Sequence, residues 1–248
     1  MSVEVVTYAN VSRGMLEELV NNDFDVPVKV LGWGTKWRGY SDKTRGVLEY
    51  MKTKDDDDII VFVDGFDTKI LRDMSGLHEA FRSYDCRVLL SKDPELSGGL
   101  LTRVIFGTCK NKGTANAGMY MGYVKELREM LTEEVNMRCQ DDQRNFNALC
   151  DRYNFIKVDE HERVFKNVSP YTAHVKTDAY FKSFPGTVSL DRYVRAIHEY
   201  TQFVYIHVAC ILIACMILFP RYEKIFVYLL IALIAIFAFL SDKSCTIN

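Results

Sequence analysis

The stretch Asp57-Asp58-Ile59-Ile60-Val61-Phe62-Val63-Asp64-Gly65-Phe66-Asp67 decides the fold class. Five consecutive apolar residues, three of them β-branched aliphatics beside Val63, read as a strand buried on both faces. Working outward, Val3–Tyr8 (VEVVTY) and Val26–Leu31 (VPVKVL) read as two more strands. Between them, Ser12 is placed to cap a helix through Met15, Leu16, Leu19 and Val20. Lys43–Met51 and Leu77–Tyr84 carry helical patterns, and Arg87–Leu90 a strand pattern. Asn116–Gly122 predicts a short strand feeding a helix over Val124–Glu134, followed by a helix over Asp142–Tyr153. Ile156–Val158 and Val164–Val168 are weaker strand candidates. Alternating strands and helices predict an α/β, Rossmann-like domain over residues 1–200, its mostly parallel sheet covered by helices on both faces.

The chemistry gathers at the exit of the central strand. In open α/β sheets, ligands sit beyond the carboxyl ends of the strands. Asp64 and Asp67 stand there, and packing does not explain two acids closing an apolar strand. Such carboxylates can hold a hard divalent cation that bridges to a diphosphate. The competing reading is a strand-end turn with solvated acids. The run Asp55–Asp58 lies at the other end of the same strand and reads as a solvated turn.

Composition narrows the function class. A net charge of −2 over 248 residues argues against a general nucleic-acid binder. The seven cysteines show no CxxC or His/Cys spacing for zinc and read mostly as reduced core thiols. The N-terminus has neither the basic nor the apolar region of a signal peptide. From 203 to 240 the chain is almost wholly apolar, broken by Pro220-Arg221-Tyr222-Glu223-Lys224. This predicts a transmembrane hairpin of two helices, 203–219 and 225–240, with a short tail at 241–248. The alternative is a buried helical hairpin packed on the domain. The membrane reading makes the lipid bilayer a partner, with the α/β domain expected on the cytosolic side.

The pieces VVTYAN, LGWGTKWRGYSDKTRGVLEY, DDIIVFVDGFD, NAGMYMG and DDQRNFNAL resemble, in order and spacing, the glycosyltransferase domain of the procollagen lysyl hydroxylases. The resemblance spans about residues 3–190 and implies a GT-A fold. It further implies a Mn²⁺ (or Mg²⁺) cofactor and a UDP-hexose donor, transferred to an unknown glycan or protein acceptor. On this resemblance Asp64 and Asp67 bind the metal. Trp37 and Phe66 wall the uracil, Phe66 standing where the family has Tyr. Thr7 sits beside the nucleotide and Lys43 neutralises the diphosphate, against a plain reading of Lys43 as a surface lysine. Asn116 and Gly118 lie under the sugar, or serve only a turn. Asp141 and Asp142, before Gln143, face the donor sugar, although an Asp at a helix start is ordinarily a cap.

Two departures from the family stand out. Its glycine run is replaced by Tyr40-Ser41-Asp42, and Ser183 stands where the family has a metal-binding His. His174 and His198 lack the context to replace it. These losses keep open a degenerate, non-catalytic nucleotide-sugar-binding protein, and a membrane scaffold is a further alternative. The lysyl hydroxylase's own oxygenase domain is not expected here.

Overall fold

The computed structural model describes residues 2–94, 102–103, 106–110, 113–137, 139, 141–168, 174–184 and 208–240. The chain divides into two units, Met1–Thr187 and Val188–Asn248.

The first unit is an α/β domain with a mostly parallel main sheet. Its main sheet runs β2 (Val28–Leu31), β1 (Val3–Tyr8), β3 (Ile59–Val63), β6 (Ala115–Tyr123), β5 (Val88–Lys92), β7 (Ile156–Val158). β1 pairs parallel with β2 and β3, and β5 with β7. β6 runs antiparallel to both β3 and β5, so it alone opposes the other five. All five residues of β3 are buried, as its unbroken apolar run requires. Period-two alternation divides them between two cores. Ile60 and Phe62 pack with Val6, Leu90 and Tyr120 under helices α2 (Ser41–Met51), α4 (Val124–Asn136) and α5 (Asp142–Arg152). Ile59, Val61 and Val63 face the other way, toward α1 (Leu16–Val20), α3 (Leu77–Arg82) and a second small sheet. That sheet has the order β4 (Thr68–Ile70), β9 (Phe181–Ser183), β8 (Phe165–Asn167).

Several elements differ from expectation for identifiable reasons. β2 begins at Val28, one residue after Pro27, which has no N–H for the ladder. Ser12 does not cap α1; Met15 stands at the cap, and the Ser12 hydroxyl donates to Glu17 at 2.8 Å. β4 and β9 are three residues each, too short to show alternation in sequence. β6 is longer than expected at nine residues. Its register against β5 jumps from Leu90↔Tyr120 to Ser91↔Asn116, which bends the strand beside the exit of β3.

The reading of the cysteines as mostly reduced needs correction. Cys109 and Cys150 are joined, with Cα atoms 5.2 Å apart across 41 residues of sequence. Long separation hides such a pairing from sequence, because the fold alone brings the β6 approach against α5. Cys86, Cys210 and Cys215 are free. Burial pushes the Cys86 thiol up to about 12.

In the second unit, residues 208–218 are helical (α6), a single 3-10 turn covers Pro220–Tyr222, and α7 spans Glu223–Leu240. Proline at the first position starts the turn because its missing N–H would have no partner there. Ile211, Ile217, Leu218, Ile225 and Ile231 are exposed. Among the described residues no helix is long and apolar enough to cross a membrane. The structure therefore does not support the two expected spans. The described part of the first is about 17 Å long as a helix, and α7 opens on the charged Glu223 and Lys224. Residues 203–207 and the tail 241–248 lie outside the described residues, as do Pro185, Gly186 and His198.

Candidate active site

The exit of β3 meets the bend in β6 and the starts of α2 and α5. The Asp64 N–H donates to the Gly118 carbonyl at 2.7 Å, which ties the acid to β6. A Cβ at Gly118 would fall 2.9 Å from Asp64 Oδ2 and 2.9 Å from Asn116 Oδ1. Glycine is required there because the carboxylate occupies the space of a side chain.

Lys43 reaches into the same point from α2. Its Nζ lies 2.7 Å from Asp142 Oδ2 and 3.3 Å from Asp64 Oδ1. The Lys43 and Asp142 side chains are each 12% exposed, and that of Asp64 is 34%. Lys43 is thus a bridge between two carboxylates, and the surface-lysine reading is set aside. Burial works against its charge, but Asp142 and Asp64 outweigh it and hold the ammonium above the ordinary lysine range. Asp64 is pushed up to about 7 by burial and by the like charges of Asp67 and Asp142, with Lys43 pulling the other way. Three carboxylates share one ammonium, so the site carries excess negative charge.

Asp67 is held from the small sheet. The Ser183 hydroxyl lies 3.2 Å from Asp67 Oδ1, and the Phe184 N–H donates to the Asp67 carbonyl at 2.8 Å. Ser183 therefore lies against the second acid.

The Asp141-Asp142 pair divides. Asp141 is the N-cap of α5 and accepts the Arg144 N–H at 2.9 Å. Asp142 opens the helix, where the N-terminal dipole favours an anion, and turns inward to Lys43. Gln143 then links two strands: it donates to Asp93 Oδ2 at 2.9 Å and accepts from Asn116 Nδ2 at 3.2 Å. Asn116 in turn accepts the Gly118 N–H at 2.8 Å. Asn147 clamps Ala115 through both its N–H and its carbonyl. One polar chain thus runs Asp93, Gln143, Asn116, Gly118, Asp64, Lys43, Asp142.

The aromatic wall is larger than expected. Trp37 is 41% exposed, with its ring centroid 5.9 Å from Tyr8 and 6.1 Å from Tyr40. Gly32 and Gly46 press on the Tyr8 ring, where a Cβ would approach within 2.3 and 2.8 Å. Phe66 is partly exposed, and the Arg13 guanidinium lies 4.9 Å from its ring centre. Thr7 is different. It is fully buried, and its hydroxyl donates to the Val63 carbonyl at 2.7 Å, closing the ends of β1 and β3.

Asp93, Gln143, Asn147, Tyr8 and Tyr40 were not singled out from sequence. Gln143 lay within the matched Asp-Asp-Gln piece. Asp93 had a signal of the right kind, an acid closing the strand pattern of β5, but no second acid followed it.

The donor set of Asp64 and Asp67 suits a hard cation by its chemistry, being all oxygen and in surplus charge. Among the described residues, no group of three or more His, Cys, Asp or Glu is arranged to hold one. Two carboxylates, Asp64 and Asp67, are what the protein itself offers a cation here.

Residues 3–207 match the PLOD GT domain family. Among solved structures, the chain is similar to the galactosyltransferase LgtC in complex with donor and acceptor sugar analogues. The identity is 14%, with a TM-score of 0.46, covering 82% of this chain and 95% of that one. An active-site mutant of LgtC is similar at 12% identity and a TM-score of 0.46, covering 76% and 89%. No curated protein matches. The family match spans far more than half of the chain, and the protein belongs to the PLOD GT domain family and is a glycosyltransferase.

Proposed function

We propose that the enzyme transfers a hexose from a UDP-sugar to a glycan or protein acceptor with the help of a divalent cation, Mn²⁺ or Mg²⁺. The observation that carries this reading is the convergence of Asp64 and Asp142 on Lys43, with Asp67 three residues beyond Asp64 at the same strand exit. In this reading Asp64 and Asp67 hold the cation, which, when bound, stabilises the departing nucleoside diphosphate. Lys43 exchanges a carboxylate partner for the diphosphate. Trp37 stacks on the uracil, with Phe66 as the second wall. Asn116 and the backbone at Gly118 lie under the sugar. Asp142, fixed by Lys43, faces the reacting carbon, while Asp141 holds the helix that carries it. Thr7 acts through the strand ends, since its hydroxyl is already engaged. Hydrolysis of UDP-hexoses with and without Mn²⁺ tests the reading. Metal-dependent release of UDP supports it, and UDP binding without turnover of any hexose donor overturns it.

Membrane attachment through 203–240 belongs to the same proposal. Its support is the row of aliphatic side chains exposed on α6 and α7. The cytosolic side is proposed for the catalytic unit. The Cys109–Cys150 disulfide counts against it, because such bonds persist mainly in oxidising compartments. Protease treatment of sealed vesicles decides: digestion of the N-terminal unit upholds the cytosolic side, and protection overturns it.

A further inference from the structure

A cavity of about 470 Å³ opens at the far end of the small sheet from Asp67, and its walls are cationic. Arg72, Arg163, Lys166 and Lys176 line it, against two acids, Glu162 and Asp178. That is four positive and two negative groups, a local balance of +2 with His161 neutral. The whole chain carries −2, so everything outside the cavity sums to −4. Concentrating positive charge in one concavity of an acidic protein focuses the field there.

Three of these four cations are not neutralised by the fold. Glu162 is paired with Lys166. Among the described residues, Arg72, Arg163 and Lys176 make no ion pair with a carboxylate. The Arg72 guanidinium lies over the Tyr180 ring, 4.7 Å from its centroid, and donates to the Asp178 backbone carbonyl at 3.5 Å. Tyr180 is itself fixed by donating to the Ser75 carbonyl at 2.8 Å, so the Arg72 platform is rigid. Held apart by a frame of this kind, cations are set for an anionic guest rather than for each other.

The cavity and Asp67 border the same small sheet. The register Thr68↔Ser183 to Ile70↔Phe181 runs the length of the small sheet. Ser183 touches Asp67 at one end, and Tyr180 lines the cavity three residues away, a strand distance of about 10 Å.

We infer that this cavity binds an anionic group, phosphate, sulfate or carboxylate, carried on a ligand of sugar size. The site requires nothing of the donor reading, and its test keeps the two apart. Calorimetry of the full chain would compare a hexose 6-phosphate with the neutral hexose, with UDP and Mn²⁺ saturating so that the donor site is filled. The charged sugar binds at least about tenfold more tightly, the scale of one or two charge-assisted hydrogen bonds. Inorganic sulfate competes with it. The exposed double variant Arg163→Gln/Lys176→Gln loses the preference and keeps UDP affinity. Equal binding of the two sugars overturns the inference. So does a preference that survives in the double variant but vanishes in Lys43→Met, which would move the anion to the donor site. Transfer of hexose onto the charged sugar upholds the inference with the guest as acceptor, and sulfate binding as tightly as the charged sugar overturns the sugar-sized guest in favour of a free anion.

Discussion

The two ends of β3 both carry acids, and they behave as opposites. At the entry, Asp58 accepts the Ser2 N–H at 2.6 Å and the Ser2 hydroxyl at 3.0 Å. Those bonds, the backbone one first, hold its carboxyl below the ordinary range. Asp56 meets Arg128 at 2.9 Å in an open surface pair, the two side chains 59% and 40% exposed. At the exit, burial first and then the like charges of Asp67 and Asp142 push Asp64 up to about 7, against the pull of Lys43. The residue type is the same. What differs is which end of a parallel sheet it occupies, and how much water and how many donors reach it. Acids at the entry are satisfied by the fold, whereas those at the exit are left with charge to share with a ligand.

Substituting at each end sharpens this contrast. The largest effect is expected on turnover. Asp142→Ala lowers transfer about a hundredfold or more, the scale of losing one preorganised electrostatic group, while UDP binding persists. Its neighbour Asp141→Ala costs about 1 kcal/mol of stability, as for a lost N-cap, and leaves most of the turnover. A turnover assay beside titration calorimetry and urea unfolding checks the pair. If both variants lose UDP binding together with turnover, the division of roles between cap and site is wrong.

Stability comes next. Lys43→Met strands two partly buried carboxylates and costs about 2–3 kcal/mol, toward the low side for a broken buried pair because Asp64 is one-third open to water. Mn²⁺ recovers part of that loss by taking over the neutralisation. The corresponding change at the entry, Arg128→Met, costs under about 1 kcal/mol, as for other surface pairs. Urea unfolding of both variants with and without Mn²⁺ measures the contrast. Equal losses at the two ends would erase it.

The smallest expected effect is at the aromatic wall. Trp37→Ala leaves the fold intact and weakens UDP binding by about 1–3 kcal/mol, the range for a base stacked on one ring. Unchanged affinity in a folded variant would remove Trp37 from the site and leave Tyr8 and Tyr40 as the wall.

How far the sequence was legible follows from the same physics. β3 was read to the residue because five apolar side chains in a row have no surface reading. The parallel order followed from alternation of strands and helices. β4 and β9 were missed because three-residue strands carry no period. Their absence hid the neighbour that matters most to Asp67, the Ser183 hydroxyl across 116 residues of chain. Gln143 and Asp93 act through an amide chain that only the bend in β6 assembles. Lys43 was legible as a cation near the loop, but its two carboxylate partners come from different elements. Thr7 looked like a strand-end ligand because the hydrogen bond that uses its hydroxyl crosses to another strand. The Cys109–Cys150 pair was illegible for a related reason, since nothing local marks it.

The central claim is that the exit acids are a metal site and the entry acids are not. Thermal unfolding with UDP and Mn²⁺ tests it most directly, comparing Asp64→Asn/Asp67→Asn with Asp55→Asn/Asp57→Asn. With ligand at 100 times its dissociation constant, the parent gains about 2.7 kcal/mol. The entry variant should keep the whole metal-dependent part of that gain, and the exit variant should lose it. An exit variant that responds to UDP and Mn²⁺ as fully as the parent would contradict the account.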